Sequence, residues 1–398
     1  MSTQELARRL KSFGASATGA MHNRVNEILQ AGQTVLSLNV GEPDFDTPGT
    51  AKRAGIEAIQ NGFTKYTSTG GSPDLRAAIA EKLKKDNGLA FGADEICVTT
   101  GAKQAIFGAV MALINEGDEV LIPVPSWVSY SAMVSLAGGV PVLVPSRPDH
   151  SLDMEKIRAA VTPRTRALIF CSPNNPSGAV YSEESLRELA GLAVQHDLFL
   201  IADEIYEKLI YDGVRHFSIA SVSREVRDRT VTVNGFSKAY AMTGWRLGYA
   251  AARKDIIKAM IKLQGQMTSC ASAVAQKAAL GALLGSQDEM KEMVEVFRQR
   301  RDLVCRRLRQ IPHVSFTEPH GAFYVLADIS WYLGKSAGRK TPATSLDMAE
   351  YLLEKARVAV VPGSAFGAEG TIRLAYANSE EVLSEALGAM EAALRGLS

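Results

Sequence analysis

Short apolar runs alternate with longer amphipathic stretches along most of the chain. From about residue 50 onward the apolar runs predict β-strands at residues 96–99, 119–122, 140–144, 167–171, 199–202, 230–233 and 247–251. Between them, hydrophobic positions recur with the helical period over residues 51–60, 74–84, 103–114 and 183–196. Apolar strands separated by helices are typical of a mixed, mostly parallel sheet with helices on both faces. The pattern therefore predicts an α/β fold.

After about residue 295 the pattern changes. A long charged helix is predicted over residues 291–310, and short strands follow at residues 314–316, 323–327, 358–361 and 372–375. This mixture indicates a smaller α+β unit. A chain of 398 residues is long enough for two domains. We predict a large domain (48–295), a small C-terminal domain (296–398) and an N-terminal arm that joins the small domain (1–47).

The composition narrows the class of protein. The formal net charge is +1, so no overall field favours binding to nucleic acid or to an anionic membrane. No apolar stretch is long enough to span a bilayer, and the N-terminal residues lack the apolar core of a secretory signal. The four cysteines are scattered and form neither a CxxC pair nor a metal-ligand spacing with the histidines. We therefore expect a soluble, cytoplasmic protein without a bound metal.

The segment SKAYAMTGWRLG at residues 237–248 carries the strongest chemical signal. It follows the predicted strand 230–233, so Lys238 can place its amine over the carboxyl edge of the sheet, where open α/β sheets bind ligands. A lysine that forms a Schiff base must be neutral, which requires a site that lowers its pKa. Ser237 and Arg246 are phosphate-binding residue types near the same turn. Without these neighbours, Lys238 would be interpreted as a surface lysine.

Two further segments follow predicted strands. Asp203 comes directly after strand 199–202 and can face a ligand from the strand end, although a helix N-cap is an equal alternative. The segment SPNNPSG at residues 172–178 holds two amide side chains in a rigid turn. Taken alone, a plain strand-to-helix turn is the simpler explanation of that segment.

The segment TTGAKQ at residues 99–104 lies between a predicted strand and a long helix. Its small residues expose backbone N–H groups at the helix N-terminus, which suits a phosphate. The glycine spacings of a P-loop and of a dinucleotide-binding fingerprint are both absent. Trp127 and Arg373 are two further candidate residues. Taken alone, Trp127 would be interpreted as a core aromatic and Arg373 as a solvated charge.

In their order, these segments resemble the class I/II aminotransferases of fold type I, whose cofactor is pyridoxal 5'-phosphate (PLP), over nearly the whole chain. The motifs are GEPDFDTP, KYTSTGG, SPNNPSGAVY, DEIYE, SKAYAMTGWRLGY and IRLAYA. The likeness is greatest to the bacterial aspartate aminotransferases, some of which also accept prephenate. The resemblance implies a fold type I α/β architecture, with a large PLP-binding domain and a smaller α+β domain.

The resemblance also implies a role for each motif residue. Lys238 would form the Schiff base with PLP and then act as acid and base in the proton shift. Asp203 would pair with the pyridinium nitrogen, and Trp127 would stack on the ring. Tyr206 and Asn175 would hydrogen-bond the phenolic oxygen of the ring.

Other residues are implied to hold the phosphate and the substrate. The implied phosphate partners are Ser237, Arg246 and the backbone of Gly101, Ala102 and Lys103. Tyr66 would reach the phosphate of the neighbouring subunit, so the resemblance implies a homodimer with active sites at the subunit interface. Arg373 would bind the substrate α-carboxylate in bidentate fashion, helped by Asn175 and the backbone of Gly41.

The choice of substrate depends chiefly on Lys103. A lysine at this place in the bacterial aspartate-type enzymes reaches the distal carboxylate, so the resemblance implies amino transfer between aspartate (or glutamate) and 2-oxoglutarate or oxaloacetate. The alternative for Lys103 is a surface charge on the first helical turn. An aromatic, prephenate, alanine or branched-chain aminotransferase, or a PLP lyase on the same fold, stays open. A PLP-sensing regulator is disfavoured because only about 40 residues precede GEPDF.

Overall fold

The computed structural model of the protein describes residues 7–11, 13–14, 17–338 and 340–397, without the side chains of residues 8, 17, 18, 20 and 22. The α-helices are α1 (Ala17–Gln30), α2 (Gly49–Gln60), α3 (Pro73–Asn87), α4 (Ala102–Leu113), α5 (Ser129–Leu136), α6 (Met154–Ala159), α7 (Glu183–Gln195), α8 (Arg224–Arg229), α9 (Lys254–Met267), α10 (Ala273–Leu284), α11 (Asp288–Leu308), α12 (Ser345–Ala356) and α13 (Glu380–Arg395). Among the described residues, no helix combines the length and the hydrophobicity that crossing a membrane requires.

The strands are β1 (Leu36–Ser37), β2 (Ile96–Thr99), β3 (Glu119–Val124), β4 (Val140–Pro145), β5 (Thr165–Cys171), β6 (Phe199–Asp203), β7 (Thr230–Gly235), β8 (Gly248–Ala251), β9 (Ser315–Phe316), β10 (Tyr324–Asp328), β11 (Val358–Ala359), β12 (Val361–Pro362) and β13 (Thr371–Ala375). Every strand predicted before residue 295 overlaps an observed strand, with ends that differ by at most two residues. The apolar runs therefore located the sheet correctly.

The largest sheet within the described chain has seven strands in the order β2-β8-β7-β6-β5-β3-β4. Strand β8 is antiparallel to both of its neighbours, and the other adjacent strands are parallel. Alternate residues of β5 enter different cores. Ala167 and Ile169 pack in the core that includes α4, whereas Leu168 and Phe170 pack in the core that includes α7. Helices thus cover both faces, which confirms the predicted α/β fold.

A second, antiparallel sheet has the order β12-β13-β10-β9. The prediction of a single strand over residues 358–361 is wrong, because β11 pairs in parallel with β1 whereas β12 pairs with β13. The chain changes sheets at the buried Val360. The pairing of β1 with β11 joins the N-terminal segment to the C-terminal part of the chain. The domain limits at residues 47 and 295 stay a prediction.

Adjacent parallel strands end side by side at one edge of the large sheet. Cys171 at the end of β5 pairs with Asp203 at the end of β6, and Asp203 pairs with Val233 in β7. The segments that follow these strands contain the predicted chemical motifs. The topology therefore gathers motifs that lie far apart in the sequence at the carboxyl edge, where open α/β sheets bind ligands.

Candidate active site

A cavity of about 440 Å³ opens at this carboxyl edge. Most of the residues that we predicted from the motifs line it, namely Gly41, Ala102, Lys103, Trp127, Asn175, Asp203, Tyr206, Ser237, Lys238, Arg246 and Arg373. Gly101 lies directly beside Arg246. Tyr66 does not line the cavity, and 91% of its surface is exposed in the single chain. The fold thus brings the predicted residues together, with the exception of Tyr66.

Lys238 lies in the turn that follows β7, and its Nζ donates a hydrogen bond to the carbonyl oxygen of Gly41 at 2.5 Å. Burial lowers the pKa of Lys238 to about 8. Nearby Arg373 and Arg246 also lower this pKa, whereas Glu42 and Asp203 act against the shift. Compared with an ordinary lysine, a larger fraction of this amine is neutral near pH 7, as a nucleophilic lysine requires.

In the protein without cofactor, the rate at which Lys238 reacts with added PLP is expected to rise with pH through a midpoint near 8. The rate rises with pH because only the neutral amine attacks an aldehyde. The lowered pKa of Lys238 makes the neutral form abundant at a lower pH than in an ordinary lysine. Stopped-flow absorbance after mixing with PLP measures the rate. Replacing the exposed Lys258 of α9 by alanine should leave the profile unchanged. A midpoint above about pH 10, as for an ordinary lysine, would contradict the assignment.

Asp203 is the last residue of β6 and only 4% exposed. The hydroxyl of Tyr130 donates to its Oδ2 at 2.7 Å, and the backbone N–H of Ile205 donates to its Oδ1 at 3.2 Å. Burial raises the pKa of Asp203 to about 6, although both hydrogen bonds oppose the rise. A cation in the cavity beside this carboxylate would stabilise its charged form. The site is therefore suited to a protonated ring nitrogen.

The loop between β2 and α4 forms a cradle for an anion. Gly101 has φ +82°, and a Cβ atom on it would lie 2.6 Å from the guanidinium of Arg246. Helix α4 begins at the next residue, so its first backbone N–H groups lack partners within the helix. Arg246 itself has φ +54°, a backbone conformation that costs a non-glycine residue about 1 kcal/mol or more. Glycine at position 101 therefore lets the Arg246 guanidinium lie against the loop, which places a cation beside the free N–H groups of the helix.

Arg373 lies in β13 and is only 3% exposed. It donates to Oδ1 of Asn175 at 3.0 Å and to the carbonyl oxygen of Asn39 at 2.7 Å, and the ring of Tyr324 lies 4.4 Å from its guanidinium carbon. Its Nε has no hydrogen-bond partner among the described residues. A buried guanidinium that is held by neutral groups favours an anionic ligand, and a planar carboxylate fits its fork.

Lys103 lies on the first turn of α4 and is exposed to solvent. Its Nζ is 4.8 Å from the centre of the Trp127 ring. Partial desolvation and then the charge of Arg246 lower the pKa of Lys103. Among the described residues that line the cavity, the charged side chains are four bases and two acids, namely Lys103, Lys238, Arg246, Arg373, Glu42 and Asp203. This excess of positive charge favours ligands that carry several negative charges.

Sequence reasoning gave no role to several residues of the cavity. Tyr130 donates to Asp203, Tyr324 contacts both Tyr206 and Arg373, and Cys171 lies beside Asp203. Tyr130 lies only three residues after Trp127, in the segment PSWVSY (125–130), so a usable signal lay beside a residue that was predicted. Nothing in the local sequence distinguishes Tyr324 from an ordinary strand residue.

A separate cluster of ionisable residues begins at Glu204, the residue that follows Asp203 in the chain. Glu204, Glu207 and His216 place oxygen and nitrogen atoms that could bind a metal within 4.8 Å of one another. The sequence did not indicate this group, because only spacings between cysteines and histidines were considered there. The ammonium of Lys82 is bonded to Glu207, and Glu204 accepts a hydrogen bond from Ser218. Since lysine and histidine balance the two acids, the cluster is an internal ion-pair network.

Comparison with known proteins places these observations in a family. A family model described as aminotransferase class I and II matches residues 33–390. The chain is 46% identical over 396 residues to an aspartate aminotransferase of Rhizobium meliloti (strain 1021), which covers 98% of this chain and 97% of the relative. It is 46% identical over 395 residues to a probable aspartate/prephenate aminotransferase of Thermus aquaticus, which covers 98% and 99%.

A solved structure is similar over the same length. The aspartate aminotransferase from Thermus thermophilus with maleate superposes with a TM-score of 0.93 at 44% identity, and the match covers 98% of this chain and 100% of that one. Sequence and structure comparisons therefore agree over nearly the whole chain.

Proposed function

The chain belongs to the class I and II aminotransferase family, and on this premise we propose that it transfers the amino group between L-aspartate or L-glutamate and the corresponding 2-oxo acids, with PLP as cofactor. The observation that carries the proposal is the set of residues that line the cavity at the carboxyl edge of the large sheet. It combines a lysine of lowered pKa, a buried acid and two further cations that can hold carboxylates, Arg373 and Lys103. The substrate class is thus L-amino acids with a second, distal carboxylate.

The residues of the cavity fit PLP. Ser237, Arg246 and the first backbone N–H groups of α4 would hold the phosphate. Asp203 would pair with the ring nitrogen, because its carboxylate is buried and lacks a cationic hydrogen-bond partner among the described residues. Trp127 would cover one face of the ring. When bound, PLP supplies an electron-withdrawing ring that accepts the electron pair of the substrate Cα–H bond.

Lys238 would act as the general acid and base of the reaction. Its Nζ would hold the cofactor before substrate arrives, then remove the proton from the substrate Cα and return a proton. A pKa of about 8 lets this amine take and give a proton near neutral pH. Asn175 would donate through its amide nitrogen to the phenolic oxygen, because its Oδ1 already accepts from Arg373. Tyr206 would donate to the same oxygen.

The preference for acidic substrates is supported by Arg373 and Lys103. Arg373 would bind the α-carboxylate and Lys103 the distal one. The Thermus thermophilus relative was solved with maleate, a four-carbon dicarboxylate. The name of the Thermus aquaticus relative includes prephenate, which also carries two carboxylates. Prephenate is therefore the second candidate amino acceptor.

Replacing Lys103 by alanine is expected to lower kcat/KM for aspartate by about 10- to 100-fold, the worth of a hydrogen bond to a charged group. Alanine lacks a distal carboxylate, so its kcat/KM should change by no more than about twofold. Steady-state kinetics with both amino acids and 2-oxoglutarate, and then with prephenate as acceptor, measure the effect. Equal losses for aspartate and alanine would contradict a distal-carboxylate role, and Lys258→Ala serves as the surface control.

We further propose a cytoplasmic homodimer with the active sites at the subunit interface. Tyr66 supports the dimer, because a phenol exposed over 91% of its surface in the single chain is available to reach a neighbouring subunit. We also propose that residues 48–295 form the large domain and residues 296–398 the small domain, with residues 1–47 as the arm that joins it. The separate sheets and the pairing of β1 with β11 support this division.

A further inference from the structure

Tyr324 is a buried residue of the cavity that lies outside the chemical motifs of the sequence. It is the first residue of β10, it pairs with Ala375 of β13, and it is 1% exposed. Its hydroxyl lies 3.0 Å from the hydroxyl of Tyr206, and the two rings meet edge to face with centres 5.8 Å apart. The contact joins residues that are 118 positions apart in the chain.

The same side chain contacts two other parts of the site. The guanidinium carbon of Arg373 lies 4.4 Å from the centre of the Tyr324 ring, which is a cation–π distance. A Cβ atom added to Gly41 would lie 2.6 Å from the Tyr324 hydroxyl, so the phenol is packed directly against the backbone that accepts from Lys238. Tyr324 therefore touches the elements that carry Tyr206, Arg373 and Gly41.

The number of protons on the two phenols decides the direction of their hydrogen bond. A tyrosine hydroxyl has one proton to donate. In the proposed function, Tyr206 donates that proton to the phenolic oxygen of the cofactor. Its own oxygen must then accept at the 3.0 Å contact, and Tyr324 is the donor. A phenol that accepts a hydrogen bond becomes a stronger donor, because bonds in a chain polarise one another.

We propose that Tyr324 is a positioning residue that acts through Tyr206 and Arg373. It donates to the Tyr206 hydroxyl and so strengthens the donation to the cofactor oxygen, while its ring supports the guanidinium that binds the α-carboxylate. The inference rests on the proposed function, since it assigns the direction of a hydrogen bond only when the cofactor is present. It links the group that tunes the cofactor to the group that binds substrate.

The test is a pH titration of the visible absorbance of the holoenzyme. In Tyr324→Phe the midpoint is expected to rise by about 0.5 to 1 pH unit, the size that a lost hydrogen bond predicts. The direction follows because a weaker donor to the phenolic oxygen lets the nitrogen that links Lys238 to the cofactor keep its proton to higher pH. Tyr351→Phe is the matched control, since it removes another buried hydroxyl that bonds to Ala393, away from the cavity.

A second comparison, in a protein that already lacks the Tyr206 hydroxyl, tests whether the effect of Tyr324 passes through Tyr206. In a Tyr206→Phe protein, the further change Tyr324→Phe should leave the midpoint unaltered, because the shift acts through Tyr206. The affinity for maleate should fall about two- to threefold or less in Tyr324→Phe, which retains the ring, and by about tenfold in Tyr324→Leu, which removes the support of Arg373. An unshifted midpoint in Tyr324→Phe, an equal shift in both backgrounds, or equal maleate affinities for the Phe and Leu variants would overturn the inference.

Failure of the proposed function looks different from failure of this inference. A wild-type protein that develops no visible absorbance band with PLP would refute the function itself. A wild-type protein with a normal band and normal transamination, whose midpoint does not respond to Tyr324→Phe, would refute only the role of Tyr324.

Discussion

Replacing Lys238 by alanine is expected to lower the rate of transamination by about 10⁴-fold, because the change removes the group that both attaches the cofactor and moves the proton. The effect should fall on kcat, since Arg373 and Lys103 still bind the substrate carboxylates. Cofactor should still bind through the phosphate cradle of Gly101, Ser237 and Arg246. Borohydride treatment should no longer fix the cofactor to the protein, whereas the wild type should retain it after denaturation.

A matched control makes the result specific. Lys208 is a lysine outside the cavity that pairs with Asp86, and its replacement by alanine should leave both the rate and borohydride fixation intact. Added alkylamines should restore part of the activity of Lys238→Ala, because a small amine can occupy the space of the missing side chain. Near-normal turnover in Lys238→Ala would refute the central assignment of the site.

The strands of the large sheet could be predicted from the sequence because they are short apolar runs, most of them largely buried, with the partly exposed β4 as the exception. All residues of β2 and β3 are buried, for example, so their apolar runs stand out from the amphipathic helices around them. The order of the strands in the sheet was not predictable from these runs. The pairing of strands depends on contacts between residues far apart in the sequence, and the hydrophobicity of a single strand does not indicate its neighbours.

Some helices escaped prediction for a physical reason. Helix α10 packs against both α2 and α3, and its sequence AVAQKAALGALL buries even Gln276 completely. A helix that is covered on several sides loses the polar stripe that marks an amphipathic helix. Its residues therefore show no clear helical period, although the helix itself is well packed.

For the site as for the sheet, local features could be predicted from the sequence and long-range contacts could not. Residues within motifs, such as Lys238 and Asp203, could be predicted because the motif places them just after a strand, and strand ends share one edge of the sheet. Contacts between motifs were beyond the sequence. The bond from Tyr130 to Asp203 spans 73 positions and the Tyr206–Tyr324 contact spans 118, so no local period or spacing reveals them.

Replacing Asp203 by asparagine is expected to lower kcat by about 10³-fold, as when a preorganised electrostatic partner is removed from an active site. Asparagine keeps the size of the side chain, and its oxygen can still accept the hydrogen bond from Tyr130. The change removes the charge and the hydrogen bond that the other oxygen accepts from the backbone N–H of Ile205. Without that charge, the ring nitrogen of PLP loses the partner that keeps it protonated. Stopped-flow absorbance of the half-reaction with aspartate measures the chemical step directly.

The neighbouring acid Glu204 provides the matched control for this prediction. Glu204 is as deeply buried as Asp203, but it bonds to Ser218 and lies beside His216 rather than lining the cavity. If Asp203 acts on the ring nitrogen, Glu204→Gln should lower thermal stability, since it leaves His216 and its neighbours unbalanced, while kcat falls far less. An equal fall in kcat in the two variants would mean that any buried negative charge near the site has this effect. Asp203 would then have no specific role at the ring nitrogen. A cofactor analogue with carbon in place of the ring nitrogen should reduce the wild type to the level of Asp203→Asn and leave that variant nearly unchanged.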